Sequence, residues 1–395
     1  MFADKYLKKN QHRSLIDDLP DVAPGIIVVI PCLREPDLHQ TLNSLYACNL
    51  PNCLVEVLVL INHSETAEPE TIQLNTVTKT NADKWIAEHT KSGIQFYALG
   101  PVVLKKKWAG AGLARKKGMD EAIARFNSFN HTGGILVSLD ADTLVAKNYL
   151  TEIEKHFIKN PKHVGATLAF EHQKIALDEK HRTGIELYER YLAYYKRALQ
   201  FAAYPYAMFT IGSAFAVKAD AYVKRGGMNR RQAGEDFYFL QNLVQLGTIG
   251  EITSTKVYPS SRLSDRVPFG TGPVLQKWMK GEEDLRSTYN FEAFKNIREL
   301  FLQINKLYKI QPEEYEAFIK SLSQAMRNFL EVDNFYAELK DLNNNCSRPE
   351  TFHQRFFQKF NAFKILRFLN FAHEKFYPKA DLIKQILLLE QEQQA

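Results

Sequence analysis

Cysteine is scarce in this sequence: four residues in 395, at Cys32, Cys48, Cys53 and Cys346. They include no CxxC pair and none has a histidine at zinc spacing, so neither a disulfide framework nor a zinc cluster is indicated. Glycine (19) and proline (15) are too few for a fibrous or low-complexity chain. No window holds the roughly 18 apolar residues that a membrane span needs. The opening MFADKYLKKNQHRSLIDDL lacks the apolar stretch of a signal peptide. A large charge of one sign is missing too. The net +6 suits anionic ligands such as nucleotides or a membrane surface, but it is too diffuse for a nucleic-acid partner. These absences describe a soluble, cytoplasmic protein.

With 45% hydrophobic and 24% charged residues, the chain can build a large α/β domain plus a smaller addition. Ile26 to Ile30 is a continuous β-branched run, as in a strand buried on both faces, and Pro31 closes it. Pro36 and Asp37 open a helix carrying Leu38, Leu42 and Leu45. Further strands are expected at Val55 to Ile61, Gln95 to Leu99, Ile135 to Leu139, Val164 to Phe170 and Phe209 to Val217, with helices between several of them. Such alternation predicts a mainly parallel sheet flanked by helices, with ligands bound beyond the carboxyl ends of its strands. After about residue 282 strand signals vanish and three helical stretches follow. The expected organisation is a leader over 1–23, a catalytic domain over 24–284 and a helical C-terminal region over 285–395.

The sharpest feature is Ile135-Leu136-Val137-Ser138-Leu139-Asp140-Ala141-Asp142, a hydrophobic strand running into two carboxylates. At a strand tip such a pair can face one divalent cation, which prefers oxygen ligands and bridges phosphates; an ordinary turn is the plainer reading. Gly234-Glu235-Asp236 opens an apolar helix. Its acids either serve the electrostatics of a helix start or supply a general base. Lys105-Lys106-Lys107-Trp108-Ala109-Gly110-Ala111-Gly112 and then Arg115 stand between a strand and a helix, where Gly110 would let backbone approach a ligand and Lys107 or Arg115 meet phosphate. The stretch from Val257 to Gly272 mixes Arg262, Asp265 and Arg266 with a Gly-Thr-Gly turn, and reads equally as a surface loop or a lid over a diphosphate.

The order of these motifs resembles the family-2 inverting glycosyltransferases of the GT-A fold, over about residues 24 to 275. It adds Gly212-Ser213-Ala214-Phe215-Ala216-Val217 and Gly226-Gly227 to the features above. The resemblance implies a GT-A-type, nucleotide-diphosphosugar-transferase-like sheet with a C-terminal helical appendage. It implies Pro31, Glu35 and Asn62 around the nucleoside, with Gly110 and Arg115 near the nucleotide. Asp140 would lie at the ribose or the metal, Asp142 on Mn²⁺ or Mg²⁺, and Asp236 would be the base, with Glu235 its alternate. The implied chemistry is a single displacement with inversion, moving a sugar from a nucleoside diphosphate to the hydroxyl of a saccharide or lipid-linked acceptor. Arg266 and the cation would stabilise the departing diphosphate.

Three departures matter. Asn62-His63 stands where many relatives carry an acid. No histidine occurs between His181 and His353 to complete a metal shell, which leaves water, phosphate or Asp265. Gln276-Lys277-Trp278 lacks the QxxRW spacing of processive synthases. Two rivals stand beside the transferase. A sugar nucleotidyltransferase needs a glycine-rich loop after the first strand, where this chain has Cys32-Leu33-Arg34-Glu35-Pro36. A nucleotide-sugar-binding or scaffolding module has no need of a base. The aromatic and basic stretch from Phe352 to Phe371 reads either as a helix packed on the protein or a second copy, or as a peripheral membrane contact.

Overall fold

The computed structural model describes residues 1–231, 234–264 and 270–394. The chain divides into two compact units, one formed by 1–178 with 210–276 and the other by 179–209 with 277–395.

The first unit holds the strands β1 (Pro24–Cys32), β2 (Leu54–Ser64), β3 (Ile94–Leu104), β4 (Ile135–Ser138), β5 (Leu144–Val145), β6 (Gly165–Phe170), β7 (Phe215–Lys218) and β8 (Ile249–Tyr258). They form one sheet in the order β3-β2-β1-β4-β7-β6-β8-β5. β1 pairs in parallel with β2 and β4, β2 with β3, and β6 with β8. β7 is antiparallel to both its neighbours, and β5 is an antiparallel two-residue edge. Helices α1 (Asp4–Lys9), α2 (Leu38–Tyr46), α3 (Pro69–Glu88), α4 (Ala111–Ser128) and α5 (Tyr149–Lys159) belong to this unit. This is the mainly parallel, helix-flanked sheet expected from the sequence.

Its core follows from the apolar runs. Ile26 to Ile30 are fully buried, because β1 is a central strand covered on both faces. Leu42 and Leu45 of α2, as expected, and Met119, Ile123 and Phe126 of α4 with Leu150 and Ile153 of α5 bury apolar stripes against the sheet. The opening residues are built into this unit as well. Tyr6 of α1 donates to Asp120 at 2.6 Å and accepts from Lys116 at 2.8 Å, both on α4.

The second unit is helical. It contains α6 (Glu179–Phe201); α7 (Ala219–Lys224) and α8 (Glu235–Leu243) lie in the first unit, and α9 (Thr271–Lys280) carries the last residues of one and the first of the other. Then come α10 (Phe291–Phe301), α11 (Pro312–Ser321), α12 (Gln324–Val332), α13 (Phe335–Asn344), α14 (Pro349–Lys359), α15 (Ala362–Lys375) and α16 (Leu382–Gln394), with a small antiparallel pair β9 (Ser287–Thr288) and β10 (Ala380–Asp381). The C-terminal phenylalanines turn inward: Phe352, Phe356, Phe357, Phe360 and Phe368 are all buried. Phe301 meets the rings of Phe356, Phe357 and Phe360 edge-on. A membrane-facing helix would have needed these aromatics outside. Among the described residues no helix is long and apolar enough to cross a membrane.

Candidate active site

The carboxyl ends of β1, β2 and β4 lie side by side, so the residues just beyond them meet. The turn after β4 is fixed from several sides. Leu139 N–H donates to the Val29 carbonyl at 3.1 Å, and Thr143 N–H closes on the Asp140 carbonyl at 3.1 Å. Thr41 of α2 donates to the Ala141 carbonyl at 2.9 Å, and Gln173 to the Asp142 carbonyl at 3.0 Å. Backbone held in this way points two carboxylates outward, with the Asp140 side chain 39% and the Asp142 side chain 28% exposed.

Beyond β1, Glu35 is buried and accepts a two-pronged ion pair from Arg262, whose Nη1 lies 2.9 Å from Oε1 and whose Nη2 bonds Oε2. The same Nη2 donates to Asp142 at 2.6 Å. A guanidinium fork suits such bridging. Asn62, at the end of β2, donates to the Cys32 carbonyl at 3.0 Å and ties the two strand ends together. Asn75 of α3 completes the tie: its amide donates to the Asn62 carbonyl at 2.8 Å, and its oxygen accepts from Arg34 N–H at 2.9 Å. Pro31 is half-buried between these groups in the chain, and Gly110 precedes the first turn of α4.

Arg115 is enclosed by two acids and a hydroxyl. It is 2% exposed, its Nη2 donating to Asp140 at 2.6 Å, its Nη1 to Glu235 at 2.9 Å and its Nε to Ser138 Oγ at 2.9 Å. Ser138 passes the connection on, donating to the Gly212 carbonyl at 2.6 Å. Two glycines make the approach possible. A Cβ on Gly212 would stand 2.8 Å from Arg115 Nη2, and one on Gly112 would stand 2.1 Å from the Arg231 carbonyl oxygen. Both would collide.

The two acids at the start of α8 differ in company. Glu235 is buried, which raises its pKa, while the Arg115 charge pulls it back. Asp236 is only half-buried and carries no ion pair among the described residues, though Phe237 N–H donates to it at 2.7 Å. Burial first, and the Glu235 charge second, push its pKa up to about 7. A carboxylate poised near neutral pH is suited to accepting a proton.

Arg262 thus brings together Glu35 and Asp142, and Arg115 brings together Asp140 and Glu235. Asn62 sits at the β1–β2 edge. Arg266 and Asp265 lie outside the described residues. Sequence reasoning had assigned no role to Asn75, Gln173, Thr41 or Ser138, and had noted Arg262 only as a loop residue. A lone polar side chain gives no signal of the backbone it will hold, so these were not legible.

No protein-family profile and no curated protein matches the sequence. Among solved structures the chain is similar to S. aureus TarS 1–349 in complex with UDP-GlcNAc, at 13% identity and a TM-score of 0.42, over 85% of this chain and 90% of that one. It is also similar to the mannosyltransferase PcManGT from Pyrobaculum calidifontis in complex with GDP-Man and Mn²⁺, at 12% identity and a TM-score of 0.38, over 91% of this chain and 93% of that one. At this level no residue role passes from either protein to this chain.

Proposed function

We propose that the protein is a glycosyltransferase that moves a sugar from a nucleoside diphosphate to an acceptor hydroxyl by a single displacement with inversion. The observation that carries this reading is that one buried arginine at the carboxyl end of β4 pairs with both Asp140 and Glu235, acids of two motifs far apart in the chain. A donor at Asp140 and a base at Asp236 would then be neighbours at the carboxyl end of β4. Glu35, Asn62 and Pro31 would border the nucleoside, and Asp140 its ribose or the metal. Asp236 would take the proton of the acceptor hydroxyl as that oxygen attacks the anomeric carbon, while the bond from that carbon to the diphosphate breaks.

The residues fit a hard divalent cation. No group of three or more His, Cys, Asp or Glu side chains gathers among the described residues. Mg²⁺-type sites, however, commonly use one or two carboxylates, with substrate phosphates and water completing the shell. Asp142, with Asp140 beside it, would be those carboxylates, and Arg262 on Asp142 is the cation they would exchange. Bound Mn²⁺ or Mg²⁺ would neutralise charge on the departing diphosphate.

The test incubates the full chain with a panel of nucleotide sugars, beginning with UDP-GlcNAc and GDP-Man, in the presence of Mn²⁺, and follows release of nucleoside diphosphate. Metal-stimulated release from at least one donor is expected. Absence of both release and calorimetric binding, for every donor and nucleoside diphosphate tried, would overturn the reading.

A further inference from the structure

We infer that Arg115 is a positioning residue that locks the helix bearing Asp236 to the donor-side turn, and that Glu235 is the anchor of this lock rather than a base. The inference rests on the transferase reading above. It departs from the place by the nucleotide that the sequence resemblance implies for Arg115.

The geometry leaves the guanidinium little to offer a ligand. All three of its nitrogens are engaged, Nε by Ser138, Nη1 by Glu235 and Nη2 by Asp140. The side chain is 2% exposed and stands within 2.8 Å of where a Gly212 Cβ would be. Three separate pieces of backbone therefore converge on one planar fork: the end of β4 through Ser138 and Asp140, the Gly212 turn through Ser138 Oγ, and the start of α8 through Glu235. A planar fork fixes both distance and angle, which a lysine ammonium does not.

Glu235 is further held through its backbone, its carbonyl accepting from the Asn229 amide at 3.1 Å. A carboxylate buried against an arginine and anchored at its own backbone is a poor proton shuttle. Its neighbour Asp236 takes its place in space from that anchor. Small errors in placing a reacting group are costly, so Arg115 would govern turnover without touching substrate.

The test uses the full chain with whichever donor of the panel the parent hydrolyses or transfers. Arg115→Lys should keep the circular dichroism spectrum and the donor KM of the parent, while kcat falls about 10²-fold, the lower end of what losing a base costs. The discriminating measurement is the double variant. Arg115→Lys added to Asp236→Asn should lower the residual rate no further, because residues that act as a unit are not additive. Should Arg115→Lys not fold, Glu235→Gln keeps an acceptor for the guanidinium but loses its charge, and its lowered kcat should still climb with pH as the parent's does, because the base is Asp236. A raised donor KM with kcat unchanged would place Arg115 on the nucleotide instead. That result, an additive double variant, or a Glu235→Gln enzyme whose rate no longer climbs with pH overturns this inference while the transferase reading stands. A parent inactive on every donor overturns both.

Discussion

Each unit buries a cation between carboxylates, and the two do it differently. In the helical unit Lys364 pairs with Asp333 at 2.6 Å and with Glu338, and Arg367 reaches Asp333 at 2.7 Å. Two acids meet two bases, and the charge closes. At the edge of the sheet Arg115 and Arg262 are divided among Glu35, Asp140, Asp142 and Glu235, with Asp236 adjoining. There four carboxylates share two guanidiniums among the described residues, and the Asp140 and Asp142 side chains are partly exposed. The helical cluster ties helices together, whereas the sheet cluster keeps carboxylates where a divalent cation or a proton could reach them.

The comparison breaks most visibly at Asp236. Asp236→Asn is expected to lower transfer by about 10²–10⁴-fold while nucleoside diphosphate affinity stays near the parent's. Steady-state kinetics with parallel calorimetry measures this, and a mutant with near-parental kcat would make Asp236 structural. The helical unit should respond in the opposite way. Lys364→Met leaves the buried Asp333 carboxylate with the largely exposed Arg367 alone and should cost up to about 3 kcal/mol in denaturant unfolding, the lower end of the cost of breaking a buried pair, with nucleotide affinity unchanged in the protein that remains folded. A loss below about 1 kcal/mol, the worth of a surface pair, would show that the cluster is well solvated.

A smaller effect is expected at Asp142. Asp142→Asn should weaken Mn²⁺-dependent nucleotide binding by roughly tenfold or more, equivalent to about 1.4 kcal/mol, without a change in thermal midpoint. Equal affinity in mutant and parent removes the metal assignment.

The difference between the units also explains what could be read in advance. β1 and β4 were legible because strands buried on both faces are continuous apolar runs, and the acids after β4 stood out against that run. β8 was missed, since its Glu251, Thr253 and Lys256 face outward and interrupt the apolar signal. α3 was missed for a related reason: four of its residues are buried, and two of them are Asn75 and Thr78. The strand expected over Phe209 to Val217 is confined to Phe215–Lys218, because the preceding residues turn so that the Gly212 carbonyl can meet Ser138. Its place in the sequence sets Arg115 beside the glycine-bearing loop. Its partner Glu235 lies 120 positions further on, and no local pattern could join them. The C-terminal phenylalanines were spread around their helices, and burial is what that spread means.

The finest test of the sheet cluster is its pH dependence, where rate and stability should move in opposite directions. Asp236 keeps its proton in the folded protein up to about pH 7, through burial and the charge of Glu235, with Arg115 and the Phe237 N–H pulling the other way and Asp140 adding to the rise. In the unfolded chain it should lose that proton near the ordinary value of 3.8. Between these values the folded state holds more protons than the unfolded one, so its stability falls as pH rises and levels off above about 7. The rate runs the other way, because only the ionised carboxylate can accept a proton, and it should climb through the same range. Asp236→Asn cannot titrate. Its thermal midpoint relative to the parent, measured without metal at about pH 5 and about pH 8, should therefore improve at the higher pH. Parallel midpoints for the two proteins across that range would mean that Asp236 ionises as an ordinary surface acid, and the base role would lose its physical ground.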